Sequence, residues 1–209
     1  MKNLILTTGF GILMCYVSNI NAANHNLNRE KQQLLKDWKL LTSLTNKDQQ
    51  GTGTTFVTVG FESQCNFYSG TTKIQDAIDS GADEVRIVSN GEFQEKLLID
   101  NQSISIRGGY ETCTDAINDI QTGQNTNLNG NLNNTYSGIS ISGATNNSQV
   151  YLEKLNIYGN QSNSSGGGLN VTASEVDLVL NHVNIFSNYS DGRAGGIWFV
   201  PITGSLSLY

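Results

Sequence analysis

Asn156-Ile157-Tyr158-Gly159-Asn160 returns as Asn184-Ile185-Phe186-Ser187-Asn188, and Gly167-Gly168-Leu169 returns as Gly195-Gly196-Ile197. Val150 and Leu152 return as Leu178 and Leu180, again 28 residues on, and Leu206 and Leu208 begin a third round. A repeat this short, with alternating aliphatics and Gly/Asn corners, predicts a parallel β-helix in which each turn of chain stacks on the last. In Leu155-Asn156-Ile157 and Leu169-Asn170-Val171 the aliphatics sit two apart, so they share the inner side of a strand and the Asn faces out. The corners need tight bends or positive φ, which Gly adopts freely and Asn tolerates. Stacking puts Asn156 under Asn184 and Asn160 under Asn188, about 4.8 Å apart, close enough for an amide ladder.

Upstream of the repeat, residues 1–22 carry Lys2, an apolar run from Leu4 to Val17 and small residues near Ala22, the pattern of a secretory signal peptide. The run is too short for a membrane span, and no later segment approaches about 20 apolar residues. Cys15 is expected to leave with the signal. Cys65 and Cys113 remain in a chain headed for an oxidising compartment, which predicts one disulfide, with two unlinked thiols as the alternative. Neither has a His nearby to activate a thiol.

Residues 23–53 are polar and charged, with Leu34, Trp38 and Leu41 at helical spacing, and read as a short helical segment and linker. Residues 54–82 hold a strand at Phe56-Val57-Thr58-Val59 and a helix from Thr72 to Ser80 with Ile74, Ala77 and Ile78 on one face, closed by Gly81. This part reads as an N-terminal cap that plugs the exposed end of the stack. The coils fill 83–209, starting with Val85/Ile87, Leu97/Ile99 and Ile104/Ile106. Glu111 to Gly143 reads as one irregular coil with a side loop and a strand at Ile139-Ser140-Ile141.

The run Thr72-Lys73-Ile74-Gln75-Asp76-Ala77-Ile78-Asp79, followed by Asp83-Glu84-Val85-Arg86-Ile87, Gly91-Glu92-Phe93 and Ile104-Ser105-Ile106-Arg107-Gly108-Gly109-Tyr110, resembles the opening of bacterial secreted right-handed parallel β-helix proteins of the pectin-lyase-like kind. The later Gly-Gly-aliphatic and Ile-x-x-Asn elements resemble repeats of polymorphic outer membrane proteins and related autotransporter passengers. Those repeats carry Gly-Gly-Ala and Phe-x-x-Asn, whereas here the Ala is missing and Ile157 and Ile185 stand for Phe. The resemblance implies an all-β fold, a right-handed coil, secretion or display at the bacterial outer membrane, and a cysteine pair at Cys65 and Cys113. The opening is also similar to pectin esterases, but their catalytic Gln-Asp element has no counterpart downstream.

Enzymes on such folds need clustered acids for Ca²⁺ beside a base, or paired carboxylates. The repeat offset stacks Glu153 on Asn181 and Lys154 on His182, so no column of the repeat holds two acids. Asp191 and Arg193 share a loop and can pair across it as a solvated ion pair, and His182 is expected at a corner or surface. Trp198 lies between inward Ile197 and Phe199 and so points outward, where an indole can stack on a sugar ring. Tyr151, Tyr158, Phe186 and Tyr189 add to such a face, or Tyr158 and Phe186 simply stack along the coil. Loops Gln161 to Gly166 and Tyr189 to Ala194 emerge at one point of successive coils.

The candidate binding residues are therefore Trp198, Tyr189, Asp191 and Arg193, with no catalytic set, metal site or cofactor expected. Net charge is −6 with no basic stripe, which argues against a nucleic-acid partner. The chain reads as a secreted or cell-surface, non-enzymatic adhesin, binding or stalk module for a polysaccharide or host-surface ligand. The rival reading is a polysaccharide lyase, hydrolase or esterase whose active coils are missing. Because the sequence stops at Leu206-Ser207-Leu208-Tyr209 inside a strand pattern, it is expected to be the front of a longer protein.

Overall fold

The computed structural model describes residues 55–131, 136–143 and 148–209; the expected signal peptide and the polar helical segment lie outside them. In chain order the elements are β1 (Phe56–Val59), α1 (Lys73–Asp79), β2 (Glu84–Val88), β3 (Glu92–Phe93), β4 (Leu97–Asp100), β5 (Ile104–Tyr110), α2 (Cys113–Ile117), β6 (Thr126–Asn129) and β7 (Ile139–Ser142). They continue with β8 (Ser148–Glu153), β9 (Leu155–Tyr158), β10 (Gln161–Ser162), β11 (Leu169–Val171), β12 (Glu175–Asn181), β13 (Asn184–Phe186), β14 (Tyr189–Ser190), β15 (Ile197–Phe199) and β16 (Thr203–Leu208).

Among the described residues all the strand pairings are parallel. The first sheet runs β1-β2-β5-β8-β12-β16, the second β3-β6-β9-β13, the third β4-β7-β11-β15, and β10 pairs with β14. From β2 onward the chain visits first, second and third sheet in a fixed rotation, so each strand lies beside its counterpart from the round before. Asn156 pairs with Asn184, Leu169 with Ile197 and Val150 with Leu178, the pairings expected from the repeat. The protein is thus mostly β, built from parallel sheets.

Alternation makes the core. Leu97, Ile139, Leu169 and Ile197 form one inward column of the third sheet, and Ile99, Ile141, Val171 and Phe199 the next. The second sheet contributes Phe93, Leu128, Ile157 and Ile185, and the first Ile104, Val150, Leu178 and Leu206. Most of these are fully buried, each worth about 1.5–3 kcal/mol relative to exposure. The polar columns follow the same register: Asn184 Nδ2 donates to Asn156 Oδ1 at 2.9 Å, Asn156 Nδ2 to Asn127 Oδ1 at 2.9 Å, and Asn160 Nδ2 to Asn188 Oδ1 at 2.9 Å. Lys154 (φ 50°) and His182 (φ 54°) occupy equivalent corners in the left-handed region, which places His182 at a bend.

Helix α1 forms where the sequence predicts it, and its first turn is satisfied from a distance. The buried Glu95 carboxylate accepts from the backbone N–H groups of Ile74 (3.1 Å) and Gln75 (3.0 Å). The Gln75 amide in turn bonds both the N–H of Leu98 (2.7 Å) and its carbonyl (3.1 Å), so a side chain takes the place of a neighbouring strand along the edge strand β4. Cys65 and Cys113 are joined, with Cα atoms 5.1 Å apart, tying the segment after β1 to α2. The region 111–143, read as an irregular coil, holds α2 and β6 as well as β7. The start of α2 is set by a capping box: Thr112 Oγ1 accepts from Asp115 N (3.1 Å), and Asp115 accepts from Thr112 N (3.1 Å).

Candidate functional site

The corner that leads into the third sheet is built from stacked backbone. Leu97 N donates to Gly138 O (2.9 Å), Gly138 N to Gly167 O (3.0 Å) and Gly167 N to Ala194 O (3.1 Å), so Lys96, Tyr136 and the two loops follow one edge. The loops are fastened to each other. Asp191 N donates to Ser162 O (2.9 Å), Gly192 N to Ser164 O (2.8 Å), and Gly166 N to Arg193 O (2.8 Å), while the Ser190 hydroxyl donates to Ser164 O. Gly167 is required by this closeness, because a Cβ there would lie 2.3 Å from the Tyr189 carbonyl oxygen.

Of the four candidate residues, Tyr189, Asp191 and Arg193 are exposed on the outer loop and Trp198 is half-buried in β15. Trp198 stands in the outward column Leu98, Ser140, Asn170, Trp198, as the alternation requires. The Arg193 guanidinium lies 5.3 Å from the centre of the Trp198 ring. Among the described residues no ion pair joins Arg193 to Asp191, although the shared loop would allow one; the guanidinium turns to the indole. The Asn170 Oδ1 beside Trp198 in the column is buried and lacks a hydrogen-bond partner among the described residues.

The other aromatics do not extend this face. Tyr151 is buried on the first sheet, its hydroxyl donating to Glu153 Oε1 (3.0 Å) and accepting from Asn181 Nδ2 (2.8 Å). Tyr158 and Phe186 stack on the second sheet, ring centres 5.0 Å apart and planes within 8°. The Tyr158 hydroxyl donates to Glu92 (2.6 Å), and that bond, with lesser burial and charge effects, raises its pKa to about 12. A second cation sits at the corner instead. Lys96 Nζ lies 3.9 Å over the ring of Tyr136, which is 56% exposed. The 28-residue repeat does not reach these two residues; only the alignment of Leu97 with Ile139 and Leu169 brings them to the same edge.

A charged cluster on the outer side of the first sheet was not legible either. Arg107 donates to Glu153 (2.8 Å), Glu84 (3.0 Å) and Asp119 (2.8 Å), and Arg86 to Glu84 (2.6 Å). Tyr110 OH donates to Asp119 (2.7 Å), and Glu153 also accepts from Asn181 (2.7 Å) and Gln121 (3.2 Å). Burial pushes the Glu153 carboxyl up, but the hydrogen bond and charge of Arg107 prevail and hold it below the usual carboxylate range. Asp119 behaves alike: burial is outweighed by Tyr110 and the two guanidiniums. Tyr110 is raised, first by burial and then by its bond to Asp119. These acids are ionised, and the oxygens of Glu153 are taken up by four donors.

Among the described residues no group of three or more His, Cys, Asp and Glu is placed to hold a metal ion, and no helix is long and apolar enough to cross a membrane. No family model, curated protein or solved structure matches the chain.

Proposed function

We propose that the chain is a right-handed parallel β-helix, akin to pectin-lyase-like and autotransporter-passenger repeats, exported by a bacterium and acting at the cell surface or outside it as a non-enzymatic binding or stalk module for a polysaccharide or other surface ligand. The rotation among three parallel sheets and the stacked register support the coil. The Gln75 bonds along β4 support the capping role of residues 54–82. The observation that carries the function is the corner itself: Arg193 lies over Trp198 on an exposed edge whose loops are held by their own backbone bonds. A surface already ordered before binding loses less entropy when a ligand arrives.

One observation favours the enzymatic rival. The Arg107 cluster brings Glu84, Asp119 and Glu153 together with two arginines on one outer face. A general acid or base must exchange its proton near the working pH and keep a lone pair free. Glu153 and Asp119 are held ionised and already engaged, which is the state of a structural cluster. Incubating the exported protein with a panel of polysaccharides separates the readings. Retention without new chain ends is expected, and Trp198→Ala lowers retention about tenfold, the loss of one aromatic anchor. Cleavage that disappears in Glu153→Gln contradicts the proposal and favours the enzyme.

A further inference from the structure

We infer that the corner leading into the third sheet is a binding strip for a carboxylate-bearing polysaccharide, laid along the stack with its acid groups taken by Arg193 and Lys96. The inference rests on the binding-module reading and names its ligand. Six basic residues lie in the described segments, of which three are bonded to acceptors and a fourth is buried. Arg86 and Arg107 are bound to carboxylates, Lys154 Nζ donates to Gln121 O (3.2 Å), and Lys73 is buried 4.1 Å over the Phe61 ring. Lys96 and Arg193 are the exposed two; neither has a carboxylate partner among the described residues, and both stand at the same corner.

Each is held in the same way. Lys96 lies 3.9 Å and Arg193 5.3 Å from an aromatic ring centre, within the range where a ring face attracts a cation. A ring partner leaves the hydrogen-bond donors of the cation free, whereas a carboxylate partner would occupy them. The corner therefore presents two positioned positive charges in a chain whose net charge is −6. Along the stack they are three strand spacings apart, about 14 Å, with Arg193 set three residues further from the strand than Lys96, a span of several sugar units. Tyr136, Ser164 and Ser165 lie on the two rounds between them and offer a ring face and hydroxyls to the intervening sugars, and Tyr189 stands beside Arg193 on the last round. A guanidinium takes a carboxylate through two parallel N–H bonds, which suits Arg193 to an acid sugar. Nucleic acid is a poor match, since duplex DNA carries one charge per about 1.7 Å and would call for far denser cations. Asp191, the acid of the outer loop, opposes an anionic ligand and so reports its sign.

The test uses the exported full chain on immobilised alginate, neutral dextran, dextran sulfate and single-stranded DNA, at low and high salt. Binding to alginate is expected, weakened about tenfold by Arg193→Gln and by Lys96→Gln, tightened severalfold by Asp191→Asn and reduced by salt. The three residues are exposed, and unchanged melting curves show that the variants fold. Tighter binding to dextran sulfate or DNA than to alginate overturns the carboxylate assignment. Binding to dextran that none of the three changes affects overturns the strip while leaving the binding module intact. Binding to no polysaccharide at all removes both.

Discussion

Glu153 accepts from Arg107 on β5, Tyr151 on its own strand and Asn181 on β12, so one carboxylate joins three successive rounds of chain. Replacing Arg107 by Met leaves that charge partly buried and short of a partner, and is expected to cost about 3 kcal/mol in denaturant unfolding. The pH dependence has a definite sign. Glu153 and Asp119 have depressed folded pKa values, so their contribution is complete above the unfolded values near pH 4 and disappears as pH falls through the folded ones. Stability measured from pH 6 downward should therefore fall less steeply in Arg107→Met than in the native protein. Asn160, 1% exposed, is a second case: Asn160→Ala removes the donor to Asn188 and is expected to cost about 1–3 kcal/mol. The Asn column was legible because one residue type recurs at the repeat spacing. The Arg107–Glu153 pair spans 46 residues across the irregular round, and no period joins them.

Helix α1 shows what one short element can close. Its sequence revealed the apolar face of Ile74, Ala77 and Ile78, but not that Glu95 satisfies its first turn or that Gln75 mimics a strand edge. Those contacts are set by the packing of helix on sheet, about 20 residues away in sequence, where periodicity carries no information. Burial raises the Glu95 pKa, partly offset by the two backbone donors, so its ionised form weakens the fold as pH rises through the raised value. Glu95→Gln keeps an acceptor and sheds that charge, and should change the melting temperature little and flatten its pH dependence above about pH 4. Glu95→Ala strands two buried N–H groups and is expected to cost about 2 kcal/mol. Helix α2 escaped the sequence reading because it has five residues; its only sign was Thr112 three places before Asp115.

At the scale of the molecule, the disulfide and the stack act at different places. Cys65–Cys113 closes a separation of 48 residues at the β1 side of the first sheet, and Cys65→Ser/Cys113→Ser is expected to lower stability by up to about 4 kcal/mol. The stack decides where function can sit. Parallel sheets and their register were readable from aliphatics two apart and Gly/Asn corners repeated at one spacing. The corner strip was readable in half: Tyr189, Arg193 and Trp198 belong to the regular rounds, whereas Lys96 and Tyr136 belong to rounds of unequal length. The placement of Tyr189, Arg193 and Trp198 depends on residues 28 apart standing side by side, as Asn160 and Asn188 do. Cysteine cross-linking tests that register directly in a Cys15→Ser background. Asn156→Cys with Asn184→Cys, partners on β9 and β13, is expected to oxidise readily to an intramolecular disulfide, because paired parallel strands bring Cα atoms within bonding range. Asn156→Cys with Phe186→Cys, the same face but two residues out of register, should cross-link far less. Equal yields from the two pairs, or the reverse order, would contradict the stacked register and with it the corner as a site.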